Sequence, residues 1–178
     1  MRKYVRVLFF ALALVALVPQ PGFAVDTRVL TDAQIDAIQT NCQIVKVNLE
    51  SLHGNDAVLY VNLSQRYHDI ARRLMAPMNG RIALNGLDGV ELTKTTVEYN
   101  DSLQEFSEQY ARYESSLQRA IDIDCKTQPI EFYSAVSVAR VNRQDLAKVV
   151  TRMYDLGGQY AKQIEEFKTT LTAEGSAQ

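Results

Sequence analysis

The chain has 178 residues, with 19 Lys and Arg against 21 Asp and Glu, which gives a net charge of −2. That length suffices for one domain with a buried core. The slightly acidic balance lacks the basic surface on which nucleic-acid-binding domains depend, so we expect no nucleic-acid partner.

The first 24 residues have the pattern of a secretory signal peptide. Two arginines and a lysine among the first six residues provide the positive start, an apolar run covers 7–18, and Ala24 is a small residue at the expected cleavage site. The apolar run is shorter than the about 20 residues that a spanning helix needs. We therefore predict cleavage after Ala24 and no stable membrane insertion. The mature chain, 25–178, is predicted to be extracytoplasmic: periplasmic, envelope-bound or secreted, and bacterial.

The mature part predicts helices almost throughout. Apolar residues recur at alternating steps of three and four, which is typical of helices that pack together. Thr31 and Gln34 have the spacing of a capping box at the first helix start. The predicted helices are about 31–53, 56–76, 90–122 and 129–172. Joined by short links, they predict one all-α domain, an elongated antiparallel up-down four-helix bundle with coiled-coil-like packing.

Three interruptions shape this prediction. Gly54, with the polar residues beside it, is expected to end the first helix. Pro77 is expected to end or kink the second helix, because proline removes a backbone hydrogen bond and clashes with the preceding turn. The Gly157-Gly158 pair lies inside the fourth helix and indicates either a kink or close packing, or a hinge.

The two cysteines, Cys42 and Cys125, are the only ones in the chain. In an oxidising compartment such a pair indicates a disulfide, and two buried thiols are the alternative. In an up-down four-helix bundle the first and third helices run parallel. Cys125 then lies beyond the end of the third helix while Cys42 lies midway along the first. A bond would require staggered helices or a connection, residues 122–128, that folds back.

Residues of the kinds that perform catalysis do not form a pattern in this sequence. His53 and His68 are fifteen positions apart on different predicted helices, and no HExxH or nucleophile motif occurs. We therefore expect no enzyme activity and no cofactor. A metal-binding or enzymatic bundle that uses His68 and nearby carboxylates is the less favoured alternative.

Six residues form the predicted interaction surface. Tyrosines near the apolar stripes either line the core or form an exposed aromatic groove for a partner chain. Arginines near the end of the second predicted helix either form a solvated face or bind an acidic partner. The six residues are Tyr60, Tyr67, Tyr110, Tyr113, Arg66 and Arg73.

Leu30 to Gln34 (LTDAQ) resembles the LTxxQ motif of small periplasmic helical stress chaperones and sensors. The resemblance covers five residues and occurs once, whereas that family typically has two copies, and it assigns no functional residue here. From the long helical pattern and the lack of catalytic motifs, we expect a non-enzymatic structural or protein-interaction module of the cell envelope that binds a protein partner or self-associates. A chaperone-like binder of unfolded chains is the alternative.

Overall fold

A computed structural model of the chain describes residues 30–175, so the leader predicted at residues 1–24 lies outside the described residues. The described part is all-helical, as predicted. It contains α1 (Asp32–Asp69), a π-helical segment (Ile70–Met75), α2 (Ala76–Leu84), α3 (Val90–Asp122) and α4 (Pro129–Gly175). The first three follow one another without a break and are called the first rod below. The predicted capping box between Thr31 and Gln34 is confirmed at its start.

The described helices form three rods, and the predicted four-helix bundle is not confirmed. Asp56 of the first rod contacts Tyr113, and Asn79 further along contacts Thr96, so α3 runs antiparallel to the first rod. Asp56 also contacts Arg143 of α4, and Asn79 contacts Tyr160 further along α4, so α4 runs parallel to the first rod. The resulting topology is up-down-up.

The predicted break at Gly54 is wrong, because Gly54 lies inside α1. Leu49, Leu52, Asp56 and Tyr60 keep the three-and-four spacing across it, so one stripe of α1 faces the other rods throughout. Glycine inside a helix costs about 1 kcal/mol relative to alanine. Burial of the apolar side chains before and after Gly54 stabilises the continuous helix by more than this cost of one glycine.

Of the helix end or kink predicted at Pro77, the helix end is wrong, and the π-helical segment explains why. Pro77 has no backbone N–H to donate to the carbonyl of Arg73, and its ring crowds that carbonyl. Immediately before it, the Ala76 N–H donates to the carbonyl of Ala71, five residues back. This wider turn accommodates the proline with one extra residue, and the helix continues to Leu84.

Cys42 and Cys125 form a disulfide, with their Cα atoms 5.5 Å apart. This prediction is confirmed, but the parallel arrangement assumed for it is wrong. Since α3 is antiparallel to α1, the connection after α3 lies beside the start of α1. The side chains of Gln39 and Lys46 donate hydrogen bonds to carbonyls of this connection, at 2.8 and 3.4 Å. The bond needs neither of the distortions that the four-helix arrangement required.

The core lies between the three rods and is built mainly from α3. This helix has the clearest apolar face, and α3 and α4 approach each other more closely than either approaches the first rod. Large aromatic and thioether side chains fill the space between the rods. The largest fully buried side chains include Tyr99, Tyr160, Phe106, Met75, Leu117 and Met153. Within residues 30–175, no helix combines the length and the apolar character needed to cross a membrane.

Candidate binding cavities

Two cavities follow one another along the seam, the line where the first rod and α4 face each other. The arginine-side cavity has a volume of about 590 Å³ and lies between residues 56–63, 106–113 and 140–151. The glycine-side cavity has a volume of about 460 Å³ and lies between residues 67–78 and 153–165, with Tyr99 of α3 also lining it. Both volumes fall within the range typical of ligand sites. The seam is open because the first rod stands further from α4 than α3 does.

Aromatic rings of the first rod and α3 form one side of the arginine-side cavity. Tyr60 stacks on Tyr110 with ring centroids 3.7 Å apart and planes 7° from parallel. Tyr60 also stacks on Phe106 at 5.3 Å, and Tyr110 meets Tyr113 edge to face at 6.4 Å. The contacts of Tyr60 with Phe106 and of Tyr110 with Tyr113 have the separations that aromatic quadrupoles favour, and the closer Tyr60–Tyr110 pair is nearly face to face. Together these rings form an ordered wall of the cavity. Leucines and a valine from the first rod and α4 complete its apolar lining: Leu59, Leu63, Leu146 and Val150.

A charged network borders the arginine-side cavity. Arg143 donates to both oxygens of Asp56, at 3.0 and 3.2 Å, and the Tyr113 hydroxyl donates to the same carboxylate at 2.6 Å. Burial, together with this hydrogen bond, raises the pKa of Tyr113. Arg140, one helical turn before Arg143, also lines the cavity, is exposed, and makes no ion pair within residues 30–175. The cavity border therefore holds one neutralised and one unneutralised guanidinium.

The four predicted interaction tyrosines lie at two different cavities, and the two predicted arginines lie at neither. Tyr60, Tyr110 and Tyr113 come together at the arginine-side cavity. Tyr67 lines the glycine-side cavity, where its ring packs edge-on against Phe106 at 5.3 Å.

The two predicted arginines lie outside both cavities. Arg73 is exposed and pairs with Asp69, one turn earlier, at 3.0 Å. Arg66 lies on the outer flank of α1 beside Gln65 and Asp69. The two therefore belong to a solvated helix face in this structure.

Sequence reasoning missed the residues that α4 contributes to the seam. Arg140, Ala147 and Tyr154 share one helical face, and Arg140 lies at the arginine-side border while the 81% exposed Tyr154 lines the glycine-side cavity. Their spacing of seven residues was the available signal. This spacing does not stand out in the sequence, because the face carries a mixture of polar and small residues and lies beside a more strongly apolar stripe.

The histidines do not form a catalytic or metal site with one another. His53 Nε2 lies 3.3 Å from Glu114, in a contact between α1 and α3, and His68 is exposed on α1. Within the described part of the chain, no three His, Cys, Asp or Glu side chains lie close enough together to hold a metal ion.

The outer face of α1 carries a second set of apolar side chains, away from the seam. Ile44, Val47, Val58 and Val61 are between 50% and 63% exposed. An apolar set of this kind on a helix is one location for contact with another chain. The seam differs from this outer face of α1 because it is concave and has charged side chains at its border.

The fold and cavities define an antiparallel three-rod helical bundle with an open apolar seam, tied at one end by a disulfide. Comparison of the chain with protein-family models, with curated proteins and with solved structures found no match.

Proposed function

We propose that this chain is an exported, non-enzymatic protein-interaction module of the cell envelope, and that a partner's amphipathic helix docks at the arginine-side cavity. The observation that carries the proposal is the apolar seam between the first rod and α4. A concave apolar surface between two helices is the usual receptor for the apolar face of a third helix.

The dimensions of the seam support a helix rather than an extended chain. The cavity lies between nearly parallel rods, and its lining residues recur every three or four positions on both rods, from Asp56 to Leu63 and from Arg140 to Thr151. A helix laid along the seam would place side chains at i, i+3, i+4 and i+7 between them. Leu59 is 52% exposed here, so docking would remove apolar surface from water.

Charge supports an acidic partner. Arg143 is already neutralised by Asp56, but Arg140 makes no ion pair with any of residues 30–175. A carboxylate on the partner helix would pair with Arg140 at the cavity border. Such a border pair contributes modestly to affinity and chiefly sets orientation and specificity.

The exported location rests on the predicted leader and on the disulfide. Disulfides form and persist in extracytoplasmic compartments. Sequencing of the protein recovered from its host tests this part of the proposal separately. An N-terminus at Val25 in the envelope or medium fraction is expected, and an unprocessed chain in the cytosol would contradict it.

A peptide titration tests the docking proposal. The probe is a synthetic amphipathic helical peptide with leucines on one face and glutamates beside them, compared with the same peptide carrying lysines. The acidic peptide is expected to bind, and its charge-reversed counterpart to bind about fivefold more weakly. Arg140→Glu should invert that preference. Equal binding of the two peptides, or no binding, counts against the proposal.

A matched pair of variants locates the site. Leu59→Glu places a charge in the cavity, whereas Val97→Glu places one on α3 at a position that is similarly exposed, 54% against 52%, and lines neither cavity. Leu59→Glu is expected to abolish peptide binding and Val97→Glu to leave it unchanged. Equal effects of the two would show that the peptide does not bind in the seam.

The alternative of a chaperone-like binder has one observation in its favour. The neighbouring cavity is lined by Met75, Met78 and Met153, and flexible methionines are common at surfaces that accept many sequences. Suppression of aggregation of a reduced model substrate by equimolar protein would favour this alternative. No suppression at excess protein would exclude it.

A further inference from the structure

The outer face of α1 has a heptad pattern of its own. Exposed residues recur there at alternating steps of three and four, on the side of α1 opposite the stripe from Leu49 to Tyr60 that faces the other rods. This outer stripe consists of Ile44, Val47, Ser51, Gly54, Val58 and Val61. Its four apolar members are 50–63% exposed, so no helix within residues 30–175 covers this coiled-coil pattern.

The outer stripe carries no charge, although 22% of the chain is charged. An asparagine flanks it in every heptad, and between Asn41 and Gln65 neither the stripe nor this flank has a charged side chain. Helix faces that remain in water are normally charged, so this composition favours a covered surface. A side-chain amide both donates and accepts hydrogen bonds, so the asparagine row can pair with a copy of itself. The flanking residues are Asn41, Asn48, Asn55 and Asn62.

The centre of the outer stripe leaves room for another backbone. Ser51 and Gly54 are its two smallest members, and a Cβ atom added at Gly54 would meet nothing within 4 Å. A second helix can therefore approach α1 closely at this point. Gly157 and Gly158 of α4 have the same open space, so the close packing considered for that pair is contradicted. Those two glycines line the glycine-side cavity and do not belong to an apolar stripe.

The outer stripe has the same order of side-chain types from either end. Two β-branched apolar residues, two small residues and two β-branched apolar residues follow one another. In an antiparallel pair centred on the midpoint of the stripe, Ile44 lies against Val61 of the second copy and Val47 against Val58. Every such contact occurs twice, because the pair has two-fold symmetry. The stripe is therefore complementary to itself.

The charges beyond the two ends of the stripe favour the antiparallel direction. Residues 32–45 carry two exposed carboxylates, Asp32 and Asp36, and no Lys or Arg. Residues 66–73 carry three exposed arginines and one aspartate. In the antiparallel pair the acidic segment of each copy lies beside the basic segment of the other, whereas a parallel pair would bring like charges together.

We propose that the outer face of α1 is the interface of a homodimer, in which two copies of this chain pack antiparallel about a two-fold axis at the centre of the outer stripe. The dimer goes beyond the docking of a partner helix and does not depend on it. It uses the side of α1 that faces away from both cavities.

The area of this contact predicts a weak dimer. Residues 41–65 span about 36 Å of helix, and a strip about 10 Å wide would bury roughly 700–900 Å² in total. Stable interfaces bury at least about 1,200 Å², so we expect a dissociation constant of about 10–100 µM. Unfolding experiments at about 1 µM therefore measure the monomer.

Sedimentation velocity of the purified, disulfide-bonded chain between about 1 and 300 µM tests the proposal. The chain is expected to pass from monomer to dimer and to form nothing larger, because a two-fold contact closes on itself. A chain that stays monomeric over the whole range, or that forms open-ended oligomers, overturns the proposal.

A matched pair of variants locates the interface. Val58→Glu places two carboxylates against apolar side chains in each dimer and is expected to weaken association at least about thirtyfold. Val97→Glu adds the same charge on α3 at a similarly exposed position, 54% against 63%, and should leave association unchanged. Gly54→Leu fills the centre of the outer stripe and should weaken association at least about tenfold, with the circular dichroism of the monomer unchanged. Equal dimerisation of the two glutamate variants, or of Gly54→Leu and wild type, overturns the assignment.

A charge exchange tests the antiparallel direction. At low ionic strength, Asp36→Arg should weaken dimerisation about threefold to tenfold, because it places a cation beside the arginines of the second copy. The combined variant Asp36→Arg with Arg72→Asp keeps the net charge and should restore wild-type association. An unchanged dissociation constant for Asp36→Arg, or no restoration in the combined variant, overturns the antiparallel arrangement.

Discussion

The Tyr113 hydroxyl donates a hydrogen bond of 2.6 Å to the carboxylate of Asp56, which connects α3 to the first rod. Arg143 of α4 holds the same carboxylate through both of its oxygens. All three rods therefore meet at one side chain, that of Asp56, which is only 14% exposed. This junction fixes the spacing of the rods beside the arginine-side cavity.

Replacement of Asp56 by alanine should destabilise the bundle by about 1–3 kcal/mol, because the buried Tyr113 hydroxyl and the Arg143 guanidinium both lose their partner. Urea unfolding followed by circular dichroism measures the change. Asp145→Ala is the matched control, since it removes an exposed pair with Lys148 and should change the free energy of unfolding by less than about 0.5 kcal/mol. Equal effects of the two substitutions would show that the junction contributes no more than a surface ion pair.

Removal of the disulfide should lower stability and leave the helices intact. The bond joins residues 83 apart in sequence, and for a loop of that length the chain-entropy estimate is at most about 4.5 kcal/mol. Cys42→Ala with Cys125→Ala should therefore reduce the free energy of unfolding by about 2–4 kcal/mol, with the far-ultraviolet spectrum unchanged at 25 °C. Reduced wild type serves as the control and should behave like the double variant. A loss of helicity on reduction would show instead that the tie is needed to hold α1 in place.

Two glycine-to-alanine substitutions should act in opposite directions. Gly54 lies inside α1 with nothing within 4 Å of an added Cβ atom, so Gly54→Ala should raise the free energy of unfolding by about 0.5–1 kcal/mol. At Gly89, which precedes α3, the Cβ would lie 2.7 Å from Cγ2 of the buried, stiff Ile82. Gly89→Ala should lower stability by about 1–3 kcal/mol. Thermal unfolding of both variants checks the pair, and destabilisation by Gly54→Ala would argue for a helix break at residue 54.

Alkaline pH should unfold the bundle. Burial is the largest cause that raises the pKa of five tyrosines, Tyr67, Tyr99, Tyr110, Tyr113 and Tyr160, above the ordinary value of 10.0. The folded state then holds protons that the unfolded chain releases above about pH 10, so stability is constant below that pH and falls as pH rises above it. The unfolding midpoint in urea, measured from pH 8 to 12, should follow this course.

The control for the alkaline prediction is added salt. Salt screens the repulsion of the increasingly negative chain but does not remove the cost of ionising a buried phenol, so the decline above pH 10 should persist at high ionic strength. Part of the rise in tyrosinate absorbance, that of the five tyrosines whose pKa is raised by burial, should accompany the loss of helicity. A complete rise below the pH at which stability begins to fall, with helicity unchanged, would contradict the prediction.

The helices and the disulfide could be predicted from the sequence, but two helices were predicted where the structure has one continuous first rod. In isolation, Gly54 favours a helix end, and Asn55 and Asp56 both favour the cap of a new helix. Yet the stripe from Leu49 to Tyr60 keeps its phase across them, with Asp56 in an inward-facing position. That unbroken phase was the signal for a continuous helix, and local residue preferences concealed it.

The cavities could not be predicted from the sequence for a different reason. Three tyrosines of the arginine-side cavity were identified from their spacing, but their grouping with Arg140 depends on α4 lying parallel to the first rod. A four-helix bundle would place the first and third predicted helices parallel, whereas α3 runs antiparallel to the first rod. The unpaired hydroxyl of Tyr99 is likewise invisible in the sequence, because whether a buried group finds a partner depends on the whole surrounding packing.

By itself, the sequence determined the helical class, the capped start at Thr31 and the pairing of Cys42 with Cys125, because periodicity, capping and cysteine number act locally or by elimination. Tertiary structure alone decided the number of rods, their directions and the open seam. These depend on the sum of contacts between residues distant in sequence, and that sum outweighed the local cost of a glycine and a proline inside one long helix.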